Sequence, residues 1–269
     1  MRALSLMEQG VSGRGSGDLA LVEKEGRVLH EVRLIEVDEV LLFGSIHLTP
    51  SAIAALLRRR VDTVFLTRHG RYRGRLVAPS GKQIDLRVAQ FERLRDPACA
   101  LSVARPMVAG KVANQRQGLL RAQRERGREE LAAPIGQLRV LGAQALAAPD
   151  LDVLRGLEGR AAAVYFGALG LCLTNPSFTF TRRSRRPPRD PVNAVLSFGY
   201  ALLAVLVESA VLRVGFDVAL GAFHGVSYGR PSLALDLMEE WRPVLVDALM
   251  LRLVNRRELS LEDFERIEV

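Results

Sequence analysis

Over roughly the first eighty residues, apolar and polar positions alternate with a period of two. In DLALVEKEGRVLHEVRL the alternation runs on either side of Glu25-Gly26, which reads as a β-hairpin. EVLLFGSIHLTP and DTVFLTRHGRYRGRLV are two further β-rich runs. Between them SAIAALLRRR breaks the alternation and predicts a short helix with Ser51 as its N-cap. The glycines of GVSGRGSG lack the Lys-Ser/Thr of a phosphate loop, so they predict a flexible turn. From about residue 86 the pattern becomes helical and stays so.

The helical part alternates apolar and basic stretches. The segment from Arg105 to Arg128 carries Arg105, Lys111, Arg116, Arg121, Arg124, Arg126 and Arg128 with few bulky apolar residues, and reads as a solvated helix face. LDVLRGLEGRAAAVYFGALG is a strongly apolar helix holding an isolated Glu158. SFTFTRRSRRPPRDP follows, where Pro187 and Pro188 exclude a helix and leave the arginines on an extended loop. PVNAVLSFGYALLAVLV is long and apolar. It contains Asn193, Ser197, Gly199 and Tyr200 and ends at Glu208, which favours a buried core helix over a membrane span.

Charge narrows the partners. A formal charge of +8 and a pI near 10.3 make a surface that attracts polyanions, nucleic acid before an acidic membrane. Only Lys24, Lys82 and Lys111 are lysines, so the basic residues are overwhelmingly arginine. The planar guanidinium suits bidentate phosphate contacts, although a GC-rich genome gives the same bias. Cys99 and Cys172, the only cysteines, make neither a disulfide framework nor a structural zinc site, which fits a reducing cytoplasm. MRALSLMEQGVSGRG has an apolar stretch broken by Glu8, too short for a secretory signal.

The candidate chemistry lies in GAFHGVSYGRPSLALDLMEEWRP. On a helix Asp236 shares one side with both Glu239 and Glu240, so a pair of carboxylates can meet one ion. Acids early in a helix are also favoured by its dipole, and the spacing does not choose between Glu239 and Glu240. His224, before Gly225, leaves a helix end or a loop. One imidazole with two or three carboxylates is a ligand set for Mn2+ or Mg2+ in phosphoryl transfer. Glu158 sits either at the edge of its apolar stripe or buried with a partner. There is no Gly-x-Ser-x-Gly elbow and no His-Glu-x-x-His zinc helix.

GLEGRAAAVYFGAL, RRPPRDPVNAVLSFGYALL and FHGVSYGRPSLALDLMEEWRP resemble three signature blocks of the CRISPR adaptation integrases, the first of the numbered CRISPR-associated proteins. VLLFGSIHLTPSAIAALLRRRVDTVFLTRHGRYRGRLV is similar to that family's β-domain, and the likeness keeps one block order from about Asp18 onward. Carried over by position, it implies Glu158, His224 and Glu239 as ligands of Mg2+ or Mn2+, with Asp236 as a further catalytic acid. It selects Glu239 over Glu240. Asp236 is left to hold a second ion, orient His224 or assist proton transfer. Arg185, Arg186, Arg189 and Arg230 are expected on nucleic acid.

Pattern and resemblance together imply an α+β fold: a small β-rich N-terminal domain over 1–84, which makes a homodimer, and an all-helical catalytic domain over 85–269. The implied activity is metal-dependent integration of captured DNA fragments at CRISPR repeats, by attack of a 3′-hydroxyl. The implied partners are DNA and the small second adaptation protein, in a heterohexamer of two integrase dimers flanking one partner dimer, away from any membrane. Two alternatives are a nuclease or branched-DNA resolvase that uses water at the same site, and a basic nucleic-acid scaffold without catalysis.

Overall fold

Strands form where β-branched and aromatic residues are covered on at least one face. The computed structural model describes residues 2–16, 19–25, 27–78, 83–185 and 187–265. Its N-terminal unit, Met1–Lys82, contains strands Ala3–Leu6 (β1), Ser12–Ser16 (β2), Leu19–Lys24 (β3), Arg27–Arg33 (β4), Glu39–Phe43 (β5), His47–Leu48 (β6), Asp62–Leu66 (β7) and Tyr72–Leu76 (β8). One sheet runs β1-β5-β7-β8, parallel except for β8, and the other runs β4-β3-β2-β6. Every residue of β5 is buried, as expected of a central parallel strand. Helix Pro50–Arg59 (α1) adds Ala55 and Leu56 to a core of Leu34, Val37, Val40, Leu42 and Val61.

The hairpin expected at Glu25-Gly26 is the antiparallel pair β3/β4, with Glu25 at a φ of 51°; Gly26 lies outside the described residues. Two local expectations are corrected. GVSGRGSG is not a turn: residues 12–16 form β2, and Gly17 lies outside the described residues. A Cβ on Gly13 would lie 2.7 Å from Leu48 Cδ2, so the glycine there admits a neighbouring strand. The cap of α1 is Thr49, whose Oγ1 accepts from the Ala52 N–H, because Pro50 already starts the helix.

The second unit, Gln83–Val269, is helical: Ile84–Arg95 (α2), Pro97–Arg126 (α3), Ala132–Leu146 (α4), Leu151–Leu169 (α5), Pro191–Val214 (α6), Ser232–Met238 (α7), a π-helical stretch at Arg242–Asp247, and Ala248–Asn255 (α8). Asp96, Asp150 and Asp190 cap α3, α5 and α6 through their carboxylates, and Gly127 and Gly215 close α3 and α6 in left-handed geometry.

Helix α3 departs from the solvated face expected of it. Leu101, Ala104, Val108, Lys111, Val112, Gln115, Leu119 and Ala122 recur at three- and four-residue steps and are buried. The stripe is hard to see because two of its members are polar. Helix α6 is long and apolar enough to cross a membrane by length and composition. It buries Val192, Leu196, Leu203, Val205 and Val211 and leaves most of its other apolar side chains half-buried, so it is a packed helix less enclosed than the core helix expected.

Candidate metal centre

On α5, Glu158 falls one turn after Leu154 and one turn before Ala161, in the column of the buried stripe. Both open readings hold at once: its side chain is 23% exposed, and it has a partner. Lys111, on the buried stripe of α3, donates to Glu158 Oε1. The same Nζ lies 2.5 Å from the buried Glu239 Oε2, so one ammonium pairs with both carboxylates. Glu239 stands where α7 ends, and its Oε1 is 3.0 Å from Arg242 Nη1. Burial pulls the Glu239 carboxyl up, but Lys111 and Arg242 outweigh it and hold it below the ordinary glutamate value. Glu240 turns elsewhere: its carboxylate lies against Gly110, and its carbonyl accepts from Asn114 Nδ2.

The histidine side is assembled around Asp236, which is fully buried. Its Oδ2 accepts from the Ala222 and Phe223 N–H groups at 2.6 and 2.9 Å. Its Oδ1 accepts from the His224 N–H at 2.9 Å and lies 2.6 Å from His224 Nδ1. A carboxylate on Nδ1 of a neutral imidazole leaves the lone pair on Nε2. Gly221 is required here, since a Cβ would lie 2.4 Å from Asp236 Oδ2. The approaching loop is pinned upstream by Gln90 of α2, which donates to the Asp217 and Leu220 carbonyls. Downstream, Ser232 Oγ donates to the Gly225 carbonyl. Arg155 of α5 donates to the Phe223 carbonyl and ties the loop to the helix carrying Glu158.

Asp236 and Glu239 therefore do not converge on one ion. Asp236 spends both oxygens on the loop, whereas Glu239 turns to Lys111 and Arg242. Among the described residues no group of three His, Cys, Asp or Glu side chains is gathered closely enough to hold a metal. The Lys111 ammonium stands between Glu158 and Glu239. The donor set nonetheless fits a hard divalent ion. Two carboxylates, one of them buried, already share one cation, beside a histidine held by a carboxylate.

Lys111, Arg242 and Asp247 were not singled out from the sequence as parts of this site. A charged residue in register with the apolar stripe of α3 was the available signal for Lys111. Asp247 is buried and accepts from Tyr165 and Tyr200. A groove of about 550 Å3 lined by Arg121, Tyr165, Leu249 and Arg252 contains none of Glu158, His224, Asp236 or Glu239.

The basic segments separate by direction. Arg182, Arg185, Arg189 and Arg230 are exposed, and Arg186 lies outside the described residues. Arg183 turns inward to Asn193 Oδ1 and Ser197 Oγ. Arg105 and Arg126 donate to the Ala148 and Cys172 carbonyls, and Lys111 is buried, so these three are taken off the solvated face.

The sequence profile of the family described as CRISPR associated protein Cas1 matches residues 4–269. A CRISPR-associated endonuclease Cas1 of Rhodospirillum rubrum is 40% identical over 270 residues, covering 97% of this chain and 78% of its own. The structure of a Cas1 protein from Thermotoga maritima superposes with a TM-score of 0.84 at 26% identity, over 100% of this chain and 84% of that one. A chain of a Cas6-RT-Cas1–Cas2 complex gives a TM-score of 0.84 at 29% identity, over 98% of this chain and 29% of that much longer one.

Proposed function

The chain belongs to the Cas1 family of CRISPR-associated endonucleases and integrases, and from that premise we propose that it joins the 3′-hydroxyl end of a captured DNA fragment to a phosphodiester at the edge of a CRISPR repeat, with Mg2+ or Mn2+ bound. The observation that carries this reading is the meeting of Glu158 and Glu239 on one cation, Lys111, beside a histidine whose ring is already fixed.

Glu158, Glu239 and Nε2 of His224 would hold the ion, whose bound charge polarises a phosphoryl oxygen and offsets the negative charge that develops there. Asp236 acts through His224, holding the ring and its tautomer. Glu239 is kept ionised by its two cations and needs no proton removed before it ligates. Lys111 gives up its place between the carboxylates. The exposed arginines at 182, 185, 189 and 230 hold backbone phosphates without reading sequence. One ester is exchanged for another. The fragment's 3′-oxygen bonds to phosphorus and loses its proton to solvent, and the 3′-oxygen of the cut strand leaves and is protonated. Holding that hydroxyl in line, ahead of water, is worth several kcal/mol, on the order known for well-oriented groups.

The same reading has the chain act in the cytoplasm as a homodimer formed through the N-terminal unit, with the small second adaptation protein between two such dimers. The Cas1–Cas2 assembly among the structural matches supports that partner.

The test uses purified protein, the small partner, Mn2+ and a repeat-bearing plasmid. A labelled fragment with a free 3′-hydroxyl should become covalently joined, and a dideoxy-terminated fragment should not. Cutting without joining under every condition would replace this reading with that of a metal-dependent endonuclease.

A further inference from the structure

Behind Glu239 lies a buried polar cluster that the proposed chemistry does not use. Asp247 is 1% exposed, inside the π-helical stretch. Its Oδ1 accepts from Tyr200 OH of α6 at 2.5 Å, and its Oδ2 accepts from Tyr165 OH of α5 at 2.9 Å. The two phenols differ in what they touch next. The Arg242 guanidinium lies over the Tyr200 ring, 5.0 Å from its centroid, and Arg183 lies 5.4 Å from the same centroid. Arg242 in turn places Nη1 3.0 Å from Glu239 Oε1. Tyr165 packs edge-on to Phe166.

A buried carboxylate is costly, and burial pushes Asp247 up to about 6, against the pull of its two phenols and of Arg242 and Lys111. Hydrophobic residues would fill that space without the cost. What the acid supplies is direction. With its hydroxyl held by Asp247 Oδ1, the Tyr200 ring is fixed in one orientation. The ring face fixes the plane of Arg242, and Arg242 fixes one oxygen of Glu239.

We propose that Asp247 is a positioning residue for the metal centre, acting on Glu239 through the relay Tyr200–Arg242, with its second phenol, Tyr165, outside the relay. The inference rests on Glu239 being a metal ligand, as proposed above. It adds an asymmetry that a purely structural role lacks: of two tyrosines bonded to one carboxylate, only one governs the ion.

The experiment measures Mn2+ affinity of the full chain by electron paramagnetic resonance titration, with thermal midpoints recorded alongside. Asp247→Asn keeps the shape of the side chain and should weaken Mn2+ binding about tenfold, at the lower end of what supporting partners of metal ligands contribute. Tyr200→Phe keeps the ring but frees it, and should weaken binding several-fold. Tyr165→Phe removes a more deeply buried hydroxyl from the same carboxylate and should leave Mn2+ affinity unchanged, whatever it does to the midpoint. Mn2+ affinity unchanged in Asp247→Asn and Tyr200→Phe, while Glu239→Gln abolishes binding, would overturn the relay and leave the metal reading standing. Equal weakening by the two phenylalanine variants would overturn it too. Absence of Mn2+ binding to the unsubstituted protein would overturn both.

Discussion

On the histidine side of the site, Asp236 has filled its oxygens with three backbone N–H groups and the His224 ring, all within one folded loop. On the carboxylate side, Glu158 and Glu239 come from separate helices and meet only through Lys111 of a third. The first arrangement is complete without an ion and presents one ready nitrogen. The second is held by a charge that an ion has to replace. Geometry set by backbone donors is cheap to keep rigid, because those donors need partners anyway. Geometry set by paired charges stays adjustable, because its cation is a flexible side chain. A divalent ion would thus enter against a fixed wall and a movable one.

The largest expected effect breaks both sides alike. Glu158→Gln, His224→Ala and Glu239→Gln should each lower Mn2+-dependent joining by on the order of a thousandfold, since a bound ion supplies several kcal/mol to charge development. Circular dichroism should show the fold retained. A variant that keeps more than a tenth of the activity would remove its residue from the ligand set.

The next effect separates the two sides. Lys111→Met leaves Glu239, 5% exposed, facing only Arg242, and should destabilise the metal-free protein by about 3 kcal/mol, the scale for breaking a buried pair. Mn2+ should then restore more stability to the variant than to the unsubstituted chain, because no ammonium competes for the carboxylates. Calorimetry with and without Mn2+ reads this difference. An equal Mn2+-induced rise in melting midpoint in both proteins would mean that Lys111 does not occupy the ion's place.

Asp236→Asn tests the histidine side. An asparagine oxygen still accepts N–H groups, but its amide cannot accept from Nδ1, so the imidazole loses its set tautomer. Mn2+ affinity should fall between about tenfold and a hundredfold. Unlike Lys111→Met, the substitution should not enlarge the stabilisation that Mn2+ gives. If it did, the two sides would not be distinct in kind.

How far the sequence foretold this site follows the same division. The β-rich start and helical remainder were readable because period-two and period-3.6 patterns are local. His224 and the acids of DLMEE stood close together in the chain, so their association was open to view. Lys111 was not, because its partners lie 47 residues away on α5 and farther still at Glu239. Its run of arginines suggested solvent, whereas the spacing of Val108, Lys111, Gln115 and Leu119 puts it inward. The pairing of Asp236 with Glu239 was misjudged for another reason. Helical spacing puts the two acids on one side, but N–H groups of the upstream loop and the His224 ring take up both oxygens of Asp236.

The smallest expected effect is the most discriminating control. Glu240 neighbours Glu239 in sequence and sits closer to solvent, half-buried with its carboxylate over Gly110 of α3. Its tie to the fold is through the backbone, since the carbonyl accepts from Asn114 Nδ2, and alanine keeps that bond. Glu240→Ala should therefore leave Mn2+ affinity within twofold and change stability by less than about 1 kcal/mol. The change should also carry a sign with pH. Burial raises the Glu240 carboxyl above its ordinary value. A group with a raised folded pKa favours the fold most when it is protonated, below its unfolded pKa, and loses that contribution as pH rises through the folded value. Removing the carboxyl should accordingly be least damaging at pH 8 and more damaging near pH 4, read as the difference in urea midpoint from the unsubstituted chain. Loss of Mn2+ binding in Glu240→Ala, as large as in Glu239→Gln, would move the ligand one residue along and with it the carboxylate side of the site.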